Sequence, residues 1–109
     1  MEELKQITER QEQLESIISK LDDDRKAVLM PLIIEIVFME GRLRNLRDLP
    51  HIRTHPKNKA RQEITPAGKQ YKETMQAYLN AIKVVMTAIY KADNSAADEL
   101  VEKLKEFEL

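Results

Sequence analysis

The sequence predicts an all-α, oligomeric protein built on a long antiparallel helical hairpin with additional N- and C-terminal helices. Three observations carry that expectation. Of 109 residues, 42% are hydrophobic and 34% charged while only two are glycine and none is tryptophan, a helix-rich composition and not a disordered one. Apolar residues recur at steps of three and four in successive segments. No stretch alternates as a strand would, and no internal repeat or low-complexity tract interrupts the pattern. The length suits a single helical domain, 1–109, with one modest core.

The first helix, about 2–21, places Leu4, Ile7, Leu14, Ile18 and Leu21 in a narrow seam, with Gln11 filling the one polar place. Such a seam buries little by itself and needs another helix against it, which is one source of the oligomeric expectation. The run LDDDRKAV breaks the chain, because three successive acids repel one another and any of Asp22, Asp23 or Asp24 suits the next N-terminus. The second helix, about 24–48, carries Val28, Leu29, Leu32, Ile33, Ile36, Val37, Leu43 and Leu46 on a broad core face. Pro31 reads either as a first-turn proline or as a kink about two turns in.

Pro50 disfavours helical geometry in Leu49 and closes that helix. Between 50 and 64 the helical period is lost, and Pro56, Asn58 and alternating basic residues suggest an extended or mobile loop. Thr65 as N-cap and Pro66 at the first helical position restart the chain. The third helix, about 66–92, has the strongest period: Tyr71, Met75, Tyr78, Ile82, Val85 and Ile89, widened by Leu79, Met86 and Tyr90. These tyrosines and methionines read as core or interface, with hydroxyls at the edge. Ser95 with Asp98 gives an approximate capping box for a last helix, about 96–107, carrying Leu100, Val101, Leu104 and Phe107.

The net charge of −1 hides a sorting by segment. From Arg42 to Lys72 nine Lys or Arg face only Asp48 and Glu63, a local +7, and the remaining nine basic and seventeen acidic residues give −8. Arg42, Arg44, Arg47, Arg53, Lys57, Lys59, Arg61 and Lys69 form the candidate phosphate-binding set, since each phosphate neutralised releases counterions and steers association. Two readings stand: contact with a duplex backbone, or a solvated loop balancing acidic helices of a neighbouring subunit. No aromatic residue interrupts the basic loop, which argues against base stacking on single strands. The loop, about fifteen residues, is also too long for the turn of a helix-turn-helix pair.

Enzyme chemistry finds no candidates. There is no Walker loop, no nucleophile elbow, and no histidine near a plausible nucleophile. The absence of cysteine removes disulfides, thiolate metal sites and cysteine nucleophiles together. His51 and His55 stand four apart, but Pro50 and Pro56 bracket them and no third ligand is near, so no metal and no cofactor is expected. The opening MEELKQITERQEQLE lacks a signal-peptide core, and nothing approaches the roughly 20 apolar residues of a membrane span. The expectation is a soluble, cytoplasmic protein with no membrane partner.

The stretch LPHIRTHPKNKARQEITPAGKQYKETMQAYLNAIKVVM has a more specific pattern. A Leu-Pro pair (Leu49, Pro50) ends a helix, a loop holds a second proline (Pro56), and Thr65 and Pro66 restart a long helix bearing Lys69, Tyr71, Tyr78, Asn80 and Lys83. Over about half the chain, roughly Ile33 to Ile89, this resembles the short terminase small subunits of tailed phages of Gram-positive bacteria. The resemblance implies a non-enzymatic protein in the bacterial host cytoplasm that recognises concatemeric viral DNA, forms homo-oligomeric rings through helical hairpins, and recruits the terminase large subunit. One departure is the lack of a compact helix-turn-helix module at the N-terminus. The alternative is an oligomeric helical scaffold or protein-interaction module with no nucleic-acid role.

Overall fold

The computed structural model describes residues 2–107 and is all-α apart from one short hairpin. Four helices, α1 (Glu2–Ile18), α2 (Asp23–Arg47), α3 (Pro66–Ala92) and α4 (Asn94–Lys105), follow one another, with β1 (Ile52–Thr54) and β2 (Gln62–Ile64) between α2 and α3. α2 and α3 form the long antiparallel hairpin expected from the sequence, each about 40 Å long at 1.5 Å per residue. α1 folds back on α2, α4 folds back on α3, and α1 meets α4, so the four helices close a bundle around one core. No helix among the described residues is long and apolar enough to cross a membrane.

The α1 seam is only partly realised. Leu14 and Ile18 are fully buried and Leu21 is buried in the following turn, but Leu4 is 65% exposed and Ile17, outside the expected seam, is buried. The reason is the reach of α4: Arg10 contacts the carbonyl of Lys103, near the end of α4, so the first turns of α1 extend past their neighbour. α1 ends at Ile18 rather than near 21, where the Ser19 hydroxyl bonds the Ser16 carbonyl and the chain turns.

Of the three acids, Asp22 is the N-cap of α2, accepting from the Arg25 amide at 3.3 Å and from its guanidinium at 2.7 Å. The Arg25 hydrogen bond holds the Asp22 carboxyl below its ordinary pKa. Asp23 and Asp24 occupy the first turn, where the helix dipole favours them. Pro31 lies inside α2, two turns in, with its ring at the surface and the helix running through it. Val28, expected in the core, lies at the rim of the buried face and is 68% exposed. Leu79 and Tyr90 likewise flank the buried stripe of α3 instead of widening it.

Thr65 caps α3 as its sequence suggests, its Oγ1 accepting from the Gly68 amide at 3.0 Å, with Pro66 at the start. α4 is capped differently from the expected Ser95–Asp98 box. Asp93 ends α3 and caps α4 at once: its backbone amide donates to the Ile89 carbonyl while Oδ1 accepts from the Ser95 and Ala96 amides. One residue therefore makes the whole turn, and α4 starts at Asn94 and ends at Lys105, not at 96 and 107.

A polar cluster lies within the apolar core. Glu40 is 1% exposed and receives the Arg10 guanidinium from α1 and the Tyr78 hydroxyl from α3, while Arg10 also donates to the Lys103 carbonyl of α4 at 2.7 Å. Three helices thus meet at one carboxylate, and the fourth joins them through Arg10. The Tyr78 hydroxyl, expected at the edge of the bundle, is inside it.

Candidate nucleic-acid interface

The segment expected as an extended or mobile loop is a β-hairpin that projects from the bundle as a wing. β1 and β2 pair antiparallel, with Ile52 opposite Ile64, Arg53 opposite Glu63 and Thr54 opposite Gln62. Three-residue strands are too short to show alternation, and such a hairpin is marginal in water by itself. Its base supplies the missing support. The Thr65 amide donates to the His51 carbonyl at 3.0 Å, and the Thr65 hydroxyl donates to the Pro50 carbonyl. His51 Nε2 lies 2.8 Å from the Leu46 carbonyl, and its ring packs on Tyr71 with centroids 4.8 Å apart. A Cβ on Gly68 would stand 2.5 Å from the His51 carbonyl oxygen, so glycine is what lets α3 start this close to the wing.

The tip is folded as well. The His55 amide donates to the Arg61 carbonyl at 2.9 Å, closing the hairpin above the ladder. Two consecutive turns follow: Asn58 donates back to the His55 carbonyl and Arg61 donates back to the Asn58 carbonyl, with Pro56 leading the first turn. Side chains complete them, His55 Nδ1 accepting from the Lys57 amide and Asn58 Oδ1 from the Ala60 amide. Both histidines therefore serve the wing's own architecture, one at its base and one at its tip. Lys57 and Lys59 stand at the surface of this tip, and neither has an ion-pair partner among the described residues.

Further down the wing, Arg53 Nη2 lies 3.1 Å from Glu63 Oε2 and Arg61 Nη2 lies 3.6 Å from Glu63 Oε1. One carboxylate thus sits between two arginines on the same face. All three side chains are largely solvated, so the pairs are weak and the arginines stay available to a stronger anion. Lys69, in the first turn of α3, adds an exposed cation beyond the wing's base. Arg47, in the last turn of α2, is exposed and 3.5 Å from Asp48.

The structure does not gather the whole set of eight. Arg42 and Arg44 are about 200° apart around α2 at 3.6 residues per turn. Arg44 lies over the ring of Phe107, 5.1 Å from its centroid, and that ring meets Tyr78 edge-on at 5.5 Å. Arg42 lines a shallow groove between α1 and α2 beside Phe38 and Asn45. Arg53, Lys57, Lys59 and Arg61 share the wing, Lys69 and Arg47 flank its base, and Arg42 and Arg44 belong to other surroundings.

Sequence reasoning read Asn58 only as a mark of the loop and did not single out Gly68 or Glu63. Gly68 had a signal: it is one of two glycines in the chain and falls three residues after the Thr65 cap. Asn58 between two lysines in a proline-led loop is a turn residue by chemistry. Glu63, the one acid among the wing's cations, was visible only as a subtraction from the local charge. Compared with protein-family models, with curated proteins and with solved structures, the chain gives no match.

Proposed function

We propose that this chain is a non-enzymatic, self-associating protein that binds duplex DNA by backbone contacts through the wing and acts in phage DNA packaging, in the role of a terminase small subunit that recruits the large subunit. The observation that carries the DNA reading is the wing itself. An anchored hairpin with its turns closed by its own side chains presents Lys57 and Lys59 unpaired at the tip and Arg53 and Arg61 along one face. A two-stranded ribbon is of a size that the major groove admits, and cations held on a preformed tip lose little freedom on meeting phosphates. The packaging role rests on the resemblance around Leu49, Pro50, Thr65, Pro66, Tyr71 and Tyr78, which spans the wing and both helices that hold it.

The test is fluorescence anisotropy with a labelled duplex over a salt series. The wild type should bind with log K falling linearly in log salt, by about 0.9 for each phosphate contacted. Lys57→Ser/Lys59→Ser should weaken binding about equally across sequences and flatten the slope by up to about 1.8, two phosphates' worth. No binding by the wild type at low salt would overturn the DNA role and leave the alternative, a helical scaffold whose basic wing docks on an acidic protein face.

A further inference from the structure

The bundle leaves one face of α2 uncovered. Ile34 is 46% exposed and Phe38 56%, one turn apart, and with Ile7, Gln11 and Gly41 they line the groove between α1 and α2. Gly41 sits one turn beyond Phe38 with nothing within 4 Å of where a Cβ would be, so the stripe offers a projecting side chain beside an open space. Along its edge run Glu35 and Arg42, both exposed, seven residues apart and therefore on the same side of the helix, and neither has an ion-pair partner among the described residues.

We infer that this face of α2 is the contact between two copies of the chain, packed antiparallel about a twofold axis passing near Phe38. The charges select the arrangement. A twofold contact is isologous, so any residue that meets a different one does so twice. The pairs Glu35 with Arg42 and Ile34 with Gly41 each have their midpoint beside Phe38, so a single axis satisfies both. It sets the Glu35 of each copy against the Arg42 of the other, drops each Ile34 into the space above the opposite Gly41, and brings the two Phe38 rings together. A parallel pairing keeps the Glu35 of each copy about seven residues along the axis from the other's Arg42 and on the opposite flank, so neither charge would meet its opposite. A heterologous contact would leave half of each stripe exposed.

The arrangement has a consequence for the wings, and that consequence alone rests on the DNA reading. Arg47 lies nine residues beyond Phe38, so the two wing bases fall at opposite ends of the paired helices, at least about 27 Å apart at 1.5 Å per residue. A duplex shorter than the separation of the two wings then engages one of them, and a longer one can engage both with the gain in avidity that two linked sites give.

Sedimentation equilibrium of the full chain tests the contact, with helicity checked by circular dichroism. The wild type should have twice the chain mass at micromolar concentration, Glu35→Arg and Arg42→Glu should each lower the mass to that of a monomer, and the double variant Glu35→Arg/Arg42→Glu should restore the dimer. Because both residues are exposed, the single variants keep the fold. A monomeric wild type, a higher oligomer unmoved by either charge reversal, or a double variant that stays monomeric overturns the proposal. None of these outcomes bears on whether the wing binds DNA, which Lys57→Ser/Lys59→Ser reads separately.

Discussion

Arg10 on α1 grips Glu40 on α2 through two parallel hydrogen bonds, Nε to Oε1 at 3.0 Å and Nη2 to Oε2 at 2.9 Å, with 14% and 2% of their side chains exposed. Burial alone would lower the Arg10 pKa, but the hydrogen bond and charge of Glu40 outweigh it and hold the guanidinium proton more tightly than usual. The Tyr78 hydroxyl completes the shell of Glu40 from α3 at 2.8 Å, and no side-chain nitrogen or oxygen is left buried without a partner among the described residues. A charged pair is a costly way to fill a core, so its value lies in orientation. A carboxylate that must meet one guanidinium and one phenol fixes the register of three helices, and the bond from Arg10 to the Lys103 carbonyl fixes the fourth.

Removing one partner is worse than removing all. Glu40→Ala strands the Arg10 charge in the bundle and should cost about 3–5 kcal/mol, whereas replacing Arg10, Glu40 and Tyr78 together by Met, Leu and Phe should come within a few kcal/mol of neutral or better. Urea unfolding followed by circular dichroism reads both. A triple variant less stable than Glu40→Ala would show that the cluster stabilises the bundle outright.

Tyr78 makes stability depend on alkaline pH. Burial first, then the charge and hydrogen bond of Glu40, raise its pKa well above the ordinary 10.0. The folded chain therefore keeps the phenolic proton where the unfolded chain releases it. This contribution is whole below pH 10 and drains away as pH rises beyond it, because the unfolded state then binds fewer protons. Tyr78→Phe should start about 1.5–3 kcal/mol less stable at neutral pH for want of the bond to a charged acceptor. Its unfolding midpoint should fall less steeply than that of the wild type above pH 10.

Arg44 belongs to the bundle more than to the basic surface. Its guanidinium covers Phe107, the ring that closes over Tyr78. Arg44→Ala should lower stability by about 0.5–1 kcal/mol, the scale of an exposed cation–π contact, and leave the salt slope of DNA binding unchanged. A flattened slope would put Arg44 back among the phosphate contacts.

What could be read in the sequence was local. Thr65 and Pro66 start α3 because capping and proline geometry act within one turn, and Tyr71, Met75, Tyr78, Ile82, Val85 and Ile89 give the helix period because one face is buried along its whole length. What could not be read depended on distant partners. Glu40 occupies a core position between Val37 and Leu43, but its neighbours are 30 and 38 residues away, so the sequence shows only a polar gap in an apolar face. The wing was hidden because its strands are three residues long and its anchors, His51 on Leu46 and Tyr71 and Thr65 on Pro50, join segments on either side of it. Arg42 and Arg44, adjacent in charge along the chain, diverge because a helix turns 100° per residue.

Gly68 sets how closely the wing is held. Alanine there would improve helix propensity by about 1 kcal/mol, yet its methyl would meet the His51 carbonyl, and the contact is with backbone that has no rotamer to yield. The wing's base must shift, loosening the bond from the Thr65 amide to His51. Hydrogen exchange on Gly68→Ala should show faster exchange at Thr65 and across 52–64, while the amides of α2 and the rest of α3 keep their protection. Unchanged exchange in the wing would mean that the base accommodates a methyl group and that glycine is not required there.

Glu63 restrains the wing's positive charge. It lies between Arg53 and Arg61 and offsets one of the wing's four Lys and Arg charges. Its two ion pairs are solvent-exposed, so Glu63→Gln should change folding stability by less than about 1 kcal/mol. Its effect on DNA should be larger. Neutralising the acid removes a like-charge repulsion with phosphate and frees both guanidinium groups, so affinity at low salt should rise several-fold and the salt slope should steepen by up to about 0.9 for each arginine that gains a phosphate. A substitution that introduces no new cation and leaves the fold intact separates two views of the wing. If Arg53 and Arg61 face the duplex, the slope responds to Glu63; if only Lys57 and Lys59 do, affinity rises slightly through the field and the slope stays as it was. Anisotropy of Glu63→Gln beside Lys57→Ser/Lys59→Ser over one salt series therefore maps which face of the hairpin meets the backbone.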